Sequence, residues 1–551
     1  MTVGVILLAQ PAPGNGQTVP DAGAIQQQRQ QQLERERREH LPPQAPETPK
    51  VQPPREPAPP SPSVLVTEYD FEGNTLFTPQ DLRRTLEPFT NREMDLPLLR
   101  EATLAVAERY RAAGKLVHAY LPPQDITNGR VRIAILEAKL GEVLYQGDPA
   151  VRVRENHIVG IVSRQLAPGD MIDTKKLDRA LLLADDLPGV QVNGALEAGK
   201  ETGRTNVRLT AKSEPLVQGD VTIDNGGPRG VGSIRGLANF RVESPFRFGD
   251  RLTINTMATA GSQYARAAYT LPVGRDGWRL GINGSWLNYR LVAPEFDALH
   301  AKGSMYTVGL EAMYPLIRAR NYNLQWLMNY DHRRFENRAL GVRQSEYRID
   351  EGTMALAGNW FDDLLGTSGA TFGSVGLVLG QLGQGERQPG ENPLVDGSIT
   401  KLTWFLSREQ ALVPWVSLYG AFMGQKAFTP MDAAERFFLG GPQNLRAYPV
   451  FEAGGSTGWL TTGELRGHLP WGVGLTGFFD AGRVENPDTI GRSYLLKGGG
   501  VTVSWTAPRG VMLSGTWAHR LGDNPNPTST GKDQDGSLQK NRFWFAVTYA
   551  F

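Results

Sequence analysis

The sequence predicts a membrane-embedded β-barrel of about sixteen antiparallel strands, preceded by two small α/β domains and an N-terminal helix. Three observations lead to this fold class. The 551 residues are too many for one ordinary hydrophobic core. One order of elements occurs twice before residue 213, and apolar and polar residues then alternate with a period of two. No run of about 18 apolar residues occurs, which excludes membrane-spanning helices but not barrel strands.

The composition excludes several classes of function. The 58 basic and 57 acidic residues nearly cancel, so the charge gives no reason to expect a nucleic-acid partner. The chain has no cysteine and therefore no disulfide framework, thiolate nucleophile or cysteine metal site. Residues 1–21 are expected to be a signal remnant or a disordered tail, because they resemble the end of a secretory signal that lacks its positively charged start.

A polar helix and a proline-rich linker are expected next. Residues 22–41 are rich in helix formers, and their large apolar residues are only Ile25, Leu33 and Leu41. Such a helix has no stripe that could pack on an ordinary core, so it is expected in water or in a polar cavity. Residues 42–63 form the linker, with ten prolines between 42 and 62. At about 3.1 Å per residue it could span roughly 65 Å.

Residues 64–138 and 139–212 repeat one order of elements: strand, helix, helix, strand, strand. In the first unit Thr78 and Pro79 open a helix, because threonine caps a helix N-terminus and proline fits its first turn. Gly114 ends the longer helix that follows. The predicted elements are strand 64–71, helices from 79 and over 96–113, strands 117–121 and 131–136, then strand 141–145, helices 155–165 and 174–187, and strands 190–197 and 206–211.

Residues 213–551 are predicted to form the barrel. A strand of a soluble protein with one solvent-exposed face would explain any single alternating stretch. Many such stretches in about 340 residues, with Trp and Tyr near strand ends, favour a membrane barrel instead. At about ten residues per strand plus connections, the segment accommodates roughly sixteen strands. The clearest stretches begin at Leu252, Trp278, Tyr322 and Phe543, and the chain ends in the aromatic Phe551.

No catalytic or cofactor-binding grouping is predicted. The seven histidines are scattered, and the sequence has no His-Glu-x-x-His pair, no Gly-x-Ser-x-Gly elbow and no P-loop. The cluster Gly380, Gly383 and Gly385 has no following helix, so it is expected to be a connection between strands and not a phosphate cradle. We therefore expect no enzyme activity, no cofactor and no metal site.

One arginine and one aspartate stand in apolar surroundings. Arg446 lies in a glycine-containing connection over residues 438–448, and Asp480 shares a strand face with Phe478 and Gly482. Isolated charges in such surroundings are costly unless they meet, and a guanidinium suits a carboxylate in two-pronged geometry. Charges are also common in surface loops and lumen-facing strands, so these residues alone leave the pairing open.

A resemblance makes the pairing specific. Leu445-Arg446-Ala447-Tyr448 resembles the Val-Arg-Gly-Tyr loop motif, and Phe478-x-Asp480-x-Gly482 resembles its partner strand motif. Both motifs belong to the superfamily of BamA-like assembly factors and TpsB transporters of two-partner secretion, and the two α/β units resemble POTRA domains. The resemblance implies that the loop folds into the lumen and that Arg446 pairs with Asp480. Ala447 takes the glycine position, where a positive φ would cost about 1 kcal/mol.

The resemblance also implies a function. The chain is expected to be an outer-membrane translocation pore that exports a partner exoprotein through its lumen without nucleotide hydrolysis, in two-partner (type V) secretion of the haemolysin secretion/activation type. Residues 22–41 would be the plug, 64–138 and 139–212 the first and second POTRA domains in the periplasm, and Phe551 the C-terminal barrel signal.

The implied partners are the unfolded, periplasmic exoprotein, outer-membrane lipids and lipopolysaccharide, and the barrel assembly machinery during biogenesis. The pore itself is expected to act as a monomer. An insertase that assembles other barrels is the alternative within this fold, and a barrel enzyme is the alternative from another class. The secreted partner stays open between an adhesin, a cytolysin, a haem-binding protein and a contact-dependent toxin.

Overall fold

The structure is a computed structural model that describes residues 20–39, 63–126, 128–148, 150–201, 203–384, 397–485 and 493–551. Most of the expected signal remnant and nearly all of the expected linker therefore lie outside the described residues. Among the helices of the described ranges, none is both long and apolar enough to cross a membrane.

The described residues of the first small domain form five strands and two α-helices. Its N-terminal strand differs from the prediction, because the chain changes sheets at Thr67, whose N–H and hydroxyl both donate to the carbonyl of Gly129. Helix α2 begins as predicted, with the Thr78 hydroxyl and the Asp81 carboxylate capping each other's backbone N–H groups. The elements are β1 Val64–Val66, β2 Glu68–Glu72, α2 Pro79–Thr85, β3 Arg92–Met94, α3 Leu96–Ala112, β4 Val117–Tyr120 and β5 Arg130–Glu137, with α1 Ala22–Glu39 preceding them.

The first domain is built on a three-stranded sheet in the order β2-β5-β4, with β1 and β3 paired separately. Helix α3 buries Leu99, Val106 and Tyr110, which recur at helical spacing and pack on the sheet. A buried carboxylate, Glu137, ends β5. Its Oε1 accepts from the N–H of Thr75 at 2.7 Å and from the Tyr110 hydroxyl at 3.1 Å.

Burial alone would raise the pKa of Glu137. The hydrogen bonds from the side chain and backbone of Thr75, the backbone of Leu76 and the hydroxyl of Tyr110 outweigh that effect and hold the pKa below its ordinary value. The carboxylate therefore stabilises the domain in its charged form.

The second domain repeats the first, with a three-stranded sheet in the order β6-β8-β7. Helix α4 has the predicted bounds, and α5 begins where Asp173 accepts from the N–H groups of Lys175 and Lys176. Gly189, at a φ of 82°, turns the chain into β7. The elements are β6 Lys139–Tyr145, α4 Glu155–Gln165, α5 Thr174–Asp185, β7 Val190–Ala198 and β8 Arg204–Ser213.

Sixteen antiparallel strands form the closed barrel, as predicted. The strands of the wall are β9 Val217–Asp224, β10 Arg235–Glu243, β11 Arg251–Ala258, β12 Ser262–Val273, β13 Trp278–Arg290, β14 Lys302–Arg318, β15 Tyr322–Ala339, β16 Val342–Asp362, β17 Gly369–Gln384, β18 Gly397–Val413, β19 Val416–Ala427, β22 Thr457–Leu469, β23 Val473–Glu485, β24 Ser493–Thr506, β25 Val511–Arg520 and β26 Asn541–Ala550. Two short strands, β20 Phe437–Leu439 and β21 Ala453–Gly455, form a separate sheet between β19 and β22 in the chain. The wall runs in chain order, and β26 closes on β9 through five residue pairs.

The glycine cluster is placed differently from the prediction. Gly380 and Gly383 lie inside β17 and not in a connection, and Gly385 lies outside the described residues. The reason is close packing of neighbouring backbones. A Cβ on Gly380 would lie 2.7 Å from the carbonyl oxygen of Asp350 on β16, so glycine suits this strand position.

The second domain contacts one arc of the barrel mouth, which we call the domain end; the opposite opening is the distal end. Arg318 makes a two-pronged ion pair with Asp186, with both N–O distances at 2.8 Å. Arg320 pairs with Asp178 of α5 at 2.7 Å. Arg318 ends β14 and Arg320 lies in the turn to β15, so the domain is fixed to this side of the mouth.

Candidate functional site

The connection between β19 and β22, residues 428–456, folds back into the barrel and is called the lumenal loop. Its strands β20 and β21 pair antiparallel. An apolar cluster packs the loop on strands β22 to β25, so burial as well as charge holds it inside. The fully packed members are Phe437, Leu439, Leu445, Ala447, Tyr448 and Ala453 of the loop and Leu460, Phe478, Val484, Leu496 and Ala518 of the wall.

Arg446 meets Asp480 of β23 in a two-pronged ion pair. Its Nε donates to Oδ2 over 2.9 Å and its Nη2 donates to Oδ1 over 2.7 Å. The backbone N–H of Arg446 donates to the same Oδ2 at 3.2 Å. The Asp480 side chain is 0% exposed, so its charge depends on these donors. The structure thus brings together the two charged residues of the sequence motifs.

Two further side chains complete the ion pair, and sequence reasoning missed both. Glu464 on β22 accepts from Nη1 of Arg446 at 2.8 Å. The Thr462 hydroxyl, two residues earlier, donates to Oδ1 of Asp480 at 3.0 Å. Thr462 and Asp480 are direct cross-strand partners. Thr462 and Glu464 are two residues apart on β22, and this spacing is visible in the sequence. Only the strand register reveals which residues the two side chains face.

Aromatic side chains enclose the arginine. Its guanidinium carbon lies 3.5 Å from the centroid of the Phe478 ring, which gives the strand motif's first residue a cation–π role. The indole N–H of Trp544 on β26 donates to the carbonyl of Arg446 at 2.8 Å. The loop tip is therefore joined to three wall strands, β22, β23 and β26.

The strain expected at Ala447 is absent, because its φ is not among the positive values found at non-glycine residues. Positive φ in this part of the loop falls on Gly440, Gly441 and Phe451. Ala447 is buried against β24, where a Cβ on Gly498 would lie 2.3 Å from the Cβ of Ala447. The position thus needs a small side chain and a bare glycine opposite, not a left-handed backbone.

The remaining predicted residues have packing contacts. Leu445 and Tyr448 are buried in the loop's apolar cluster, and a Cβ on Gly482 would lie 2.9 Å from Leu439 of the loop. Phe551 lies outside the lumen, where its backbone N–H and carbonyl exchange hydrogen bonds with Gly219 of β9. That exchange extends the seam between the last and first strands.

Helix α1 lies inside the lumen, and its surroundings correct the expectation of a wholly polar cavity. Ala22 and Ile25 are buried, at 0% and 2% exposure, in an apolar cluster of the inner wall. We call the wall members the apolar collar; they lie near the distal ends of ten consecutive strands, β10 to β19. They are Leu237, Met257, Tyr264, Leu287, Tyr289, Met305, Phe335, Tyr347, Ile349, Val378, Leu382, Ile399 and Ala427.

A charged cluster lies on the domain side of the collar. Glu435 of the lumenal loop pairs with Arg333 at 2.5 Å and with Lys401 at 2.6 Å, and Arg333 also pairs with Glu351 at 2.8 Å. These groups and Gln27 of α1 line a polar cavity of about 100 Å³. The middle of α1 therefore faces the polar cavity that its glutamines predicted.

The chain also resembles known proteins. Residues 203–505, more than half of the chain, match the haemolysin secretion/activation proteins ShlB/FhaC/HecB, and residues 64–138 match the ShlB-type POTRA domain. The heme/hemopexin transporter protein HuxB of Haemophilus influenzae (strain 86-028NP) is 26% identical over 400 residues, covering 71% of this chain and 69% of the relative.

Two solved structures share the fold. CdiB from Escherichia coli superposes with a TM-score of 0.72 at 19% identity, covering 97% of this chain and 100% of that one. BamA from Haemophilus ducreyi lacking POTRA domains 1–3 gives a TM-score of 0.52 at 15% identity, covering 89% of this chain and 100% of that one. The chain belongs to the ShlB/FhaC/HecB family of haemolysin secretion/activation proteins, and it is an outer-membrane transporter of the two-partner secretion type that its motifs predicted.

Proposed function

We propose that this transporter exports its exoprotein by releasing α1 from the barrel and passing the unfolded partner through the vacated lumen. The observation that carries the proposal is the position of α1 within a closed sixteen-stranded wall. A helix about 10 Å across occupies space that an extended chain would need. Export through the lumen therefore requires the helix to move.

The contacts of α1 suit a reversible plug. Over residues 22–32, its hydrogen bonds to the barrel include Ala22 N–H to Asn337 at 3.1 Å and Gln31 to the carbonyl of Arg436 at 3.3 Å. The first distance is ordinary for an N–H···O bond and the second is longer than usual, and both bonds join uncharged groups. The ion pair of Arg446 is shorter, at 2.7 and 2.9 Å, and joins full charges. We infer that α1 leaves while the loop stays anchored.

We further propose that residues 64–138 and 139–212 are docking domains in the periplasm. Strands β2 and β4 form the edges of the first domain's sheet. An unfolded exoprotein could add a strand to such an edge, since backbone pairing recognises an extended shape more than a sequence. The partner would then reach the barrel from the domain end.

The outer surface supports the remaining proposals about partners. Outward side chains of the wall include Ile282, Val308 and Phe545, each at least 60% exposed in the isolated chain. Such a band suits outer-membrane lipid and lipopolysaccharide. We propose that the barrel assembly machinery inserts the chain, with Phe551 as its signal, and that one copy suffices because the lumen is enclosed by a single chain.

A reversible disulfide tests the plug, and the cysteine-free chain makes the test clean. A Cβ on Gly23 would lie 3.0 Å from the Cβ of Ala434, about 0.5 Å closer than in a disulfide, so a small outward shift of the helix end brings the two positions to bonding distance. In the Gly23→Cys, Ala434→Cys double variant, oxidation should stop secretion and block the pore, and reduction should restore both. Each single variant is the control. Unimpaired secretion by the fully oxidised variant would disprove release of α1.

Secretion of a defined partner completes the test. A candidate exoprotein should reach the medium only when the transporter is present. An assembly factor would instead change the insertion of other barrels, which heat-modifiable mobility of those barrels would reveal. Family membership and the filled lumen favour export over assembly.

A further inference from the structure

We propose that the apolar collar is a binding site for apolar side chains of the exported polypeptide, occupied by α1 at rest and by the partner during export. The proposal rests on the proposed route through the lumen. It adds that the wall of the lumen recognises apolar side chains of the exported polypeptide.

The collar departs from the usual interior of a pore. Inward positions of water-filled barrels are mostly polar, whereas ten neighbouring strands here place apolar side chains inward near their distal ends. In the resting chain these side chains pack against Ala22 and Ile25 of α1, against Met431 and Ala434 of the lumenal loop, and against residues of the distal connections, which are Val231, Leu291, Ala293, Phe296 and Ala301. Withdrawal of α1 would leave part of this ring facing water. An apolar surface of this extent usually marks an interaction site.

The present occupant shows which ligand the collar accepts. Ile25 is 2% exposed although both neighbours that follow it, Gln26 and Gln27, are polar and also buried. The collar thus takes a branched apolar side chain from an otherwise polar segment. An unfolded β-forming exoprotein would offer the same chemistry, with apolar side chains at every second residue.

The depth of the collar fits an extended chain. Val378 and Leu382 both belong to it and are four residues apart on β17, which corresponds to about 13 Å along the strand and about 10 Å along a tilted barrel axis. Alternate side chains of an extended peptide repeat every 7 Å or so. The collar can therefore bind two such side chains at once. When the peptide advances by two residues, one apolar side chain leaves the collar and another enters it.

The charged cluster on the domain side of the collar does not compete with the collar for apolar side chains. Arg333, Lys401, Glu351 and Glu435 contribute two positive and two negative charges that pair with one another. Asp331 lines the same cavity beside these four residues. The cluster therefore offers charged and polar contacts, whereas the collar offers apolar ones, and a partner that occupies the collar excludes α1 from it.

The test uses the full-length transporter in planar bilayers with two probe peptides of equal length, one alternating threonine with valine and the other threonine with serine, both ending in lysines. The valine peptide should block open pores for at least about ten times longer, because each buried branched side chain contributes that much or more. Ile399→Asn should remove the difference. Thr403→Asn, at an inward position four residues further along β18, is the matched control and should retain it.

A second variant leaves the wall intact. Ile25→Ser should make pore openings about tenfold more frequent, since one buried branched side chain is lost from α1, whereas Gln28→Ser on the same helix should change them little. Equal block by both peptides, together with unchanged openings in Ile25→Ser, would overturn the collar and leave the lumenal route standing. No block by either peptide, even with α1 deleted, would overturn the route and the collar together.

Discussion

Replacing Arg446 by alanine tests the contact that anchors the lumenal loop. The substitution removes three side-chain hydrogen bonds, two to Asp480 and one to Glu464. Asp480 keeps only the Thr462 hydroxyl and the backbone N–H of residue 446. It is also left beside Glu464 without the cation that separates the two carboxylates.

The expected loss follows from burial. The side chains of Asp480 and Arg446 are 0% and 12% exposed, so solvent cannot replace the missing partner. Breaking a buried pair by removing one member costs about 3 to 5 kcal/mol. At about 1.4 kcal/mol per factor of ten, undocking of the loop should become about a hundred to several thousand times more favourable. Arg446→Lys should recover part of this, because a point charge cannot make both contacts.

Hydrogen exchange of the amides of residues 445–448 measures loop docking directly, and secretion of the exoprotein measures its effect on export. Arg408→Ala is the matched control, since Arg408 makes the same two-pronged contact with Asp362 at 2.8 and 2.9 Å near the domain end. Its side chain is 29% exposed, so we expect a loss of no more than about 1 kcal/mol and unchanged exchange in the loop. Barrel insertion should be weakened but not abolished in Arg446→Ala, and heat-modifiable gel mobility measures it.

A double-mutant cycle decides whether the two residues act as a pair. Arg446→Ala and Asp480→Ala together should cost far less than the sum of the single effects. Simple additivity in both exchange and secretion would refute the reasoning, because independent residues would then explain the losses.

Four further predictions concern other parts of the chain. Deleting 22–39 should raise single-channel conductance, because a helix about 10 Å across leaves the lumen; unchanged conductance would contradict the plug. Deleting 64–212 should leave an inserted barrel that exports nothing, and continued secretion would contradict docking there. The first domain should unfold more readily only as pH falls below about 4.3, the ordinary pKa of a glutamate in the unfolded chain. The pKa of Glu137 is lower than this in the folded domain, so the carboxylate stabilises the fold above that pH, and the contribution is lost when Glu137 is protonated. In Glu137→Gln this pH dependence of the unfolding midpoint should shrink. Reversing either charge of the Asp186–Arg318 pair should loosen the second domain, measured by exchange in α5, and Asp186→Arg with Arg318→Asp should restore part of the protection.

Local signals predicted the small domains well. The start of α2 falls where its capping residue places it, and α4 falls where a helical period places it, since both signals depend on neighbours in sequence. The break at Thr67 was missed because it depends on Gly129, 62 residues away. A long-range hydrogen bond of this kind leaves no local trace.

The lumen was only partly predictable for a related reason. Arg446 and Asp480 each stand out as a charge in apolar surroundings, and their resemblance to two known motifs is what paired them. The collar could not be seen, because Leu377, Val378 and Leu379 are consecutive apolar residues and nothing in them tells which points inward. Only the strand register places Val378 in the lumen and its neighbours on the lipid side.

The second domain and the lumenal loop are held by different strands of one closed wall. The domain contacts the turns after β10, β12 and β14, through Arg247, Asp276 and Arg318, whereas the ion pair of the loop lies on β22 and β23, with β16 to β19 between β15 and β22. A polypeptide handed over by the domain would therefore enter along the arc from β10 to β15 and meet the loop further round the channel. Strain at the entrance would reach the loop through the hydrogen-bonded strands of the wall, from β15 toward β22 on one side and from β10 through β9 toward β26 on the other.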